Sequence, residues 1–425
     1  MVRDHSITIP VAALLALILL WSFPGTTLLL VPVLGVLFAS TLIRCNPRSR
    51  AATLLFVLVI GIPIAGFENS FLFELFIQIG IYAALALGLN IVVGMAGLLD
   101  LGYAAFFAIG AYTWAIFGSP QANAFLGGDT FPLPGWPFFY LFAALAVLTS
   151  ALVGVLIGLP ALRLRGDYLA IVTLGLGEVV RVLANNLDHP INITNGPKGI
   201  SPVERPPVDW LIDLSGVIGL PLTTNQAYAL FFYFLVLGVM ALIVLINRRL
   251  DRSRFGRAWV AIREDEIAAR SMGIPLLRTK LLAFATGAAF SGIMGAIFSA
   301  KQMFVSPESF TLLQSITILA MVILGGMGSI QGAILGAAAV TLLNIEVLKS
   351  MSDGLNHLRQ SGFTLDLGII ELNFANLSTQ LEPAKYERMI FGLIMILMMI
   401  FRPAGMIPEK RHKLELQKNR EAGKP

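Results

Sequence analysis

The chain carries a long series of apolar runs, most of them close to the roughly 20 residues an α-helix needs to cross a bilayer. Twelve segments qualify, near 8–22, 26–43, 51–66, 71–93, 103–118, 138–160, 168–184, 226–247, 279–300, 312–325, 329–348 and 386–401. In hydrocarbon each backbone N–H and C=O needs a partner on its own segment, so such runs fold as helices. Two pairs, 8–22 with 26–43 and 312–325 with 329–348, are separated only by Ser22-Phe23-Pro24-Gly25 and Gly326-Met327-Gly328. Each is a tight hairpin, a kinked span or a re-entrant element. The expected fold is an all-α polytopic membrane protein of 10 to 12 transmembrane helices. Composition excludes a soluble reading of these 425 residues: 56% are apolar and 13% charged, against about 45–50% and about 25% in soluble domains.

Charge placement sets the expected orientation, because loops on the cytoplasmic side retain Lys and Arg. Arg3, the loop with Arg44, Arg48 and Arg50, the pair Arg163 and Arg165, the stretch Arg248–Lys280 and the tail Arg402–Lys424 hold 22 of the 30 basic residues. With twelve crossings all of these fall on one side, so both termini are expected in the cytoplasm. The amino-terminal apolar run continues to Ile43 without a small-residue cleavage site and reads as a retained span, not a signal peptide. A single cysteine, Cys45, precludes an internal disulfide, and His5, His189, His357 and His412 form no metal-ligand cluster. No catalytic constellation and no phosphate-cradling GxxxxGK pattern is present. Any ATP that drives the protein is expected on another chain.

The stretch 248–280 is long for a loop between spans. From Arg257 to Met272 it reads as one helix with Trp259, Ile262, Ala269 and Met272 at spacings suited to a buried face, Gly256 punctuating its start and Gly273 with Pro275 its stop. One reading is an amphipathic helix on the membrane surface. The residues Ala268-Ala269-Arg270-Ser271-Met272-Gly273 also resemble the EAA loop of ATP-binding-cassette importer permeases, in which small alanines let a short helix sink into a partner's groove. The resemblance implies an ATPase-coupling role for Glu266, Ala268, Ala269 and Gly273. Ile267, which separates Glu266 from the alanines, departs from the strict motif.

Glycine clusters mark expected breaks in the spans. Gly88-Leu89-Asn90-Ile91-Val92-Val93-Gly94-Met95-Ala96-Gly97-Leu98-Leu99-Asp100-Leu101-Gly102 is one, and Gly325-Gly326-Met327-Gly328 with Gly332 and Gly336 is another. Interior glycine weakens a helix by about 1 kcal/mol relative to Ala but lets helices approach closely. The two regions, with Gly110-Ala111 and Gly336-Ala337 after them, suggest a degenerate repeat that places discontinuous helices around a site. Tight packing alone is the other reading. Asp100 is costly in hydrocarbon and is expected in a turn or beside a polar partner. Glu178 and Arg181, three residues apart, share a helix face and can pair. Asn90, Gly94, Asp100, Glu178, Arg181, Gly325, Gly326 and Gly328 are the translocation-pathway candidates. Glu74, Asp100 and Glu178 would be the coupling groups of an ion-driven secondary transporter, an alternative that the EAA-like loop disfavours.

Five ordered blocks carry a wider likeness: GLNIVVGMAGLLDLGYAAFFAIGAY at 88–112, LRLRGDYLAIVTLGLGEVVR at 162–181, TNGPKGI at 194–200, GRAWVAIREDEIAARSMGI at 256–274 and LGGMGSIQGAILGA at 324–337. Through them the chain resembles LivM-type permeases of bacterial branched-chain amino acid ABC importers. The resemblance implies a multi-pass protein of the cell inner membrane, with residues 1–50 an amino-terminal transmembrane extension and basic loop, 51–402 a permease core carrying the coupling loop 248–280, and 403–425 a basic tail. It implies a LivH-like second permease, two ATPase subunits holding ATP and Mg, and a substrate-binding protein, with no cofactor or metal on this chain. Leucine, isoleucine and valine are the implied substrates. Asn195, Gly196 and Gly199 are candidates for docking the binding protein, or a rigid Asn-Gly-Pro corner. A urea or short-amide importer permease is the alternative within the same architecture. Residues 351–387 do not match the family pattern, and 367–372 is open between a short strand, a surface helix and a docking site.

Overall fold

A computed structural model describes residues 53, 55–128, 130–132, 136–162, 164, 166–218, 222–360, 364–366, 371–373 and 383–408. The expected spans at 8–22 and 26–43, together with Cys45, Arg163, Arg165 and the tail beyond 408, lie outside the described residues. The other ten apolar segments coincide with helical stretches. Among the described residues six helices are long and apolar enough to cross a membrane: Ser70–Met95, Pro137–Ala161, Thr224–Asp251, Leu276–Gln302, Pro307–Gly325 and Ile330–His357. Three shorter apolar helices are Val57–Phe67, Ala104–Phe117 and Met389–Phe401.

We number the principal helices α1 (Ile62–Glu68), α2 (Ser70–Leu89), α3 (Ala104–Phe117), α4 (Trp136–Ala161), α5 (Asp167–Asn186), α6 (Asp209–Ile218), α7 (Thr224–Asp251), α8 (Arg254–Glu264), α9 (Glu266–Ser271), α10 (Leu276–Gln302), α11 (Leu312–Gly325), α12 (Ile330–Leu342), α13 (Leu348–Gln360) and α14 (Glu387–Phe401). The described residues divide into two compact units, one of those up to 79 with those in 338–403, the other of those in 80–337 with those from 404.

In the second unit α3, α4 and α10 pack most extensively on one another. Lipid is as apolar as leucine, so membrane helices associate through close packing of small residues and not through hydrophobic exclusion. Gly110 on α3 faces Gly292 on α10 so closely that a Cβ at Gly110 would meet the Gly292 carbonyl. On the other side of Gly292, Ser150 of α4 donates to the Phe106 carbonyl at 3.2 Å. Rings fill the remaining space: Phe107, Phe298 and Phe310 lie 5.2–6.4 Å apart by centroid, and Trp114 meets Phe139 edge-on at 5.1 Å. The long apolar α7 starts in a capping box between Thr223 and Gln226. Its residues are more often half-buried than exposed, and only a few are fully buried.

The first unit is built on the ends of two long helices. Asn69 is extended (φ −129°, ψ 94°), which separates α1 from α2, and its side chain accepts from the Phe71 N–H at 3.1 Å to cap α2. α12 runs through a π-helical turn, Leu343–Val347, into α13. There Glu346 is buried and accepts from the Ser350 hydroxyl at 3.1 Å. Lys349 lies 6.0 Å over the Phe71 ring. After α13, Thr364–Asp366 (β1) and Glu371–Asn373 (β2) pair antiparallel with Leu365 opposite Leu372, so part of the unmatched 351–387 stretch continues a helix and part forms two short paired strands. Residues 367–370 lie outside the described residues.

One expectation is corrected. The 257–272 stretch is two helices, α8 and α9, because Asp265 is extended (φ −154°, ψ 111°) and its carboxylate accepts from Ile267 N–H (2.8 Å) and Ala268 N–H (3.0 Å). A side-chain cap of this kind opens a new helix in place of continuing the old one. Ser253, not Gly256, caps the start of α8. The break also changes the expected face: Trp259, Ile262 and Ala269 are buried, but Met272 is 84% exposed.

Candidate functional site

α8 and α9 are anchored to the start of α10. Trp259, fully buried, donates its indole N–H to the Thr279 carbonyl at 2.8 Å, and Lys280, with its side chain 6% exposed, contacts Glu266 Oε1 at 2.9 Å. The Ile274 N–H closes the turn onto Ala269 (3.1 Å), and Gly273 sits at φ +82°, where a side chain would be strained. Of the expected coupling residues, Glu266 turns inward to Lys280, Ala269 is buried, Gly273 makes the turn and Ala268 is exposed beside Ile267.

A second feature lies at the end of α2. The helix continues as a π-helical segment, Asn90–Met95, and stops at Gly97 (φ +69°). The last carbonyls of a helix have no N–H of their own to accept from, and here the Arg263 guanidinium of α8 donates to the Gly94 carbonyl. Gly97 passes so near that a Cβ on it would lie 2.7 Å from Arg263 Cγ. One turn earlier, the Asn90 side-chain oxygen accepts from the Gly328 N–H at 2.8 Å. Gly328 belongs to the turn after α11, where Gly326 and Gly328 both have positive φ. Met406 N–H and Ile407 N–H bind that turn through the Leu324 and Gly325 carbonyls, both at 2.9 Å. Both glycine-rich stretches of the sequence thus meet at Asn90 and Gly328, with Arg263 on the same segment.

A third feature is a shallow, open cleft lined by Leu101, Ala105, Leu174, Glu178, Phe310 and Leu312, among others. Its floor is tied down by hydrogen bonds from Leu101 N–H to Thr173 Oγ1 (3.1 Å) and from Ala104 N–H to Ser315 Oγ (2.9 Å). Gly102 and Gly177 allow the loop and α5 to touch through backbone. Glu178 lines the cleft with its side chain 41% exposed and pairs with Arg181, which also binds Glu308 at 2.9 Å. Asp100 is buried and accepts from the Gly102 N–H at 2.9 Å, as a turn-forming aspartate does. It does not line the cleft.

The 187–200 loop is a tied corner. Asn195 is left-handed (φ 59°) and donates to the Gly199 carbonyl at 2.7 Å, Gly196 and Gly199 have positive φ, and Ile200 bridges to Val305. The neighbouring His189 imidazole, 3.2 Å away, holds the Asp188 carboxyl below the usual carboxylate range. Asn195, Gly196 and Gly199 all take part in shaping this turn.

The sequence did not single out Arg263, Lys280, Trp259, Ser315 or Glu308 as site residues. Arg263, Ser315 and Glu308 act across more than a hundred residues of sequence, and for the 248–280 loop the signals in the sequence were its length, its positive charge and the EAA-like residues 268–273. Among the described residues no group of His, Cys, Asp and Glu can hold a metal ion.

A protein-family model described as the branched-chain amino acid transport system permease component matches residues 71–399. The chain is 39% identical over 354 residues, 81% of its own length and 71% of the relative's, to the high-affinity branched-chain amino acid transport system permease protein LivM of Salmonella typhimurium. Against the protein of the same name from Escherichia coli K12 it is also 39% identical, over 79% of this chain and 70% of the relative. The LivH permease protein of E. coli K12 is 24% identical over 77% of this chain and 91% of its own length. No solved structure matches.

Proposed function

Because the chain belongs to the branched-chain amino acid transport system permease family, we propose that it is the LivM-type membrane subunit of an ATP-driven importer for leucine, isoleucine and valine. The observation that carries this reading is the 39% identity to LivM over four-fifths of the chain. It is a transport subunit and not an enzyme. In this reading it pairs with a LivH-like permease and with two ATPase chains that bind ATP and Mg, and a binding protein delivers the amino acid. It sits in the inner membrane with both termini in the cytoplasm, as 10 to 12 transmembrane helices with breaks at Asn90–Gly97 and Gly325–Gly328.

The geometry supports a division of labour. The exposed face of α8 and α9 around Ala268 receives the ATPase, and Trp259 and the Lys280–Glu266 pair make that face move with α10. Since α10 is packed against α3 and α4, displacement at the loop reaches the helix core. The Gly94 break offers a carbonyl that Arg263 already occupies, so it suits coupling better than binding of a substrate ammonium. The substrate contact in this reading is at the shallow cleft, which has to widen to hold an amino acid: Leu101, Leu174, Phe310 and Leu312 offer apolar contact, Glu178 can receive an ammonium, and the start of α11 at Leu312, without a side-chain cap, presents N–H groups toward a carboxylate. Apolar walls favour a branched-chain amino acid over urea or a short amide. The tied loop Asn195–Gly199 is a candidate contact for the binding protein.

The test is uptake of labelled leucine into vesicles holding this chain, the second permease, the ATPases and the binding protein, with each omitted in turn. Uptake that requires ATP and the ATPase and is competed by isoleucine and valine is expected. Urea uptake would keep the architecture and replace the substrate. Leucine uptake by this chain alone under an ion gradient would overturn the reading.

A further inference from the structure

We infer that Arg263 is the positioning residue through which the 248–280 loop grips the broken end of α2, giving the loop a second mechanical outlet besides α10. The inference rests on the importer reading above.

Three observations converge on this side chain. Its guanidinium donates to the carbonyl of Gly94, a group in the last turn of the π-helical segment. The Ala96 N–H makes the closing π-helical bond to Ile91 (3.0 Å) and the Leu98 N–H reaches back to Val92 (3.0 Å), so neither goes to the Gly94 carbonyl. A charged donor at a helix C-terminus both satisfies an orphan acceptor and complements the helix dipole. Second, Gly97 lies against the Arg263 stem with no room for a Cβ, so the side chain is held along its length as well as at its tip. Third, the same segment binds the Gly325–Gly328 turn through Asn90 and the Gly328 N–H. A shift of Arg263 is therefore felt at both glycine-rich turns.

The rest of the loop shows why this contact is distinct. Trp259 and the Lys280–Glu266 pair bind the loop to α10, and α10 meets the end of α2 further along, where Gly287 packs against Gly88 and Val92; Arg263 reaches the same segment directly from α8. Arg263 is four residues after Trp259 on α8, so one rigid helix carries both connections. Glu264 lies 3.2 Å from the guanidinium on the exposed side. It can retain the arginine if the Gly94 contact opens, which leaves the charge satisfied in either position.

The test uses the whole transporter in vesicles, with ATP hydrolysis, leucine uptake and the amount of assembled complex measured together for wild type, Arg263→Ala and Arg263→Met. The Arg263→Ala complex is expected to assemble and to hydrolyse ATP within about two-fold of wild type, while leucine moved per ATP falls about ten-fold, a size usual for coupling between sites. A merely structural arginine would lower hydrolysis and uptake together and leave their ratio unchanged, and that result overturns the inference. If Arg263→Ala fails to assemble, Arg263→Met, which keeps an apolar stem against Gly97 but has no donor for Gly94, decides by the same ratio: a fall supports the inference and an unchanged ratio overturns it. Absence of ATP-driven leucine uptake by the wild-type complex would remove the importer reading and this inference with it, whereas wild-type uptake with an unaltered ratio in the variants removes only the role of Arg263.

Discussion

Lys280 and Glu266 meet at 2.9 Å across the turn that joins α9 to α10, the lysine almost fully covered and the glutamate partly so. The pair is 14 residues apart in sequence. It makes the short α9, which has only six residues, part of a much longer helix, because removing either partner strands the other in a poorly solvated place.

Replacing Lys280 with Met is accordingly expected to cost about 1–3 kcal/mol, the penalty for leaving a part-buried charged group without its hydrogen-bond partner. The double replacement with Glu266→Gln should recover part of it. A double-mutant cycle on thermal unfolding of the purified complex measures the coupling, and additive single effects would contradict the pairing.

Trp259→Phe retains most of the buried ring but removes the indole donor to Thr279. About 1 kcal/mol of stability should be lost. Trp259→Ala should cost about 3–5 kcal/mol, as large aromatic truncations do. Melting temperatures of the two variants compare hydrogen bond with packing directly.

Gly292→Val places branched carbon into contact with Ser150 and the Ala146 carbonyl. The α3–α4–α10 packing cannot accommodate it, so a loss of at least about 1–3 kcal/mol from overpacking is expected, seen as reduced assembled protein. Gly238 on α7 has open space within 4 Å of the point where a Cβ would stand, and Gly238→Ala should be neutral or stabilising by up to about 1 kcal/mol.

Asn90→Ala leaves the Gly328 N–H without its acceptor. Uptake should fall with a stability loss of about 1–3 kcal/mol. Asn90→Asp keeps an acceptor oxygen and should bind the turn better than alanine does. Uptake in Asn90→Ala equal to wild type would show that the two breaks move independently.

Glu178→Gln should raise the KM for leucine about ten-fold if the cleft receives the ammonium group, the scale of a charge-assisted hydrogen bond. Glu308→Gln, which loses a contact to the same Arg181 but does not line the cleft, should leave KM near wild type. Equal effects in the two would place Glu178 in the ion-pair network alone.

Much of the helical layout was legible because membrane spans obey a local rule. Backbone groups in lipid must bond within their own segment, so a run such as 226–247 declares its helix by composition alone, and α7 spans it. Turn chemistry was legible for the same reason: Gly273, Gly328 and Asn195 sit at left-handed positions that their sequence context announces. The Asp265 break was not read, since an Asp in a charged run is equally at home on a helix surface. Its carboxylate's choice of Ile267 and Ala268 N–H depends on where α8 is held, which Trp259 and α10 decide.

By itself the sequence determined a multi-helix membrane chain of this permease family, the place of its glycine-rich turns and the strongly basic loop, all of which follow from hydropathy, charge and ordered motifs. Only the tertiary structure decided that Asn90 meets Gly328 across 238 residues, that Arg263 rather than Glu266 reaches the broken helix, and that Glu178 faces an apolar cleft. Those relationships come from close packing of small residues in the second unit, and a packing contact between distant segments leaves no local pattern along the chain.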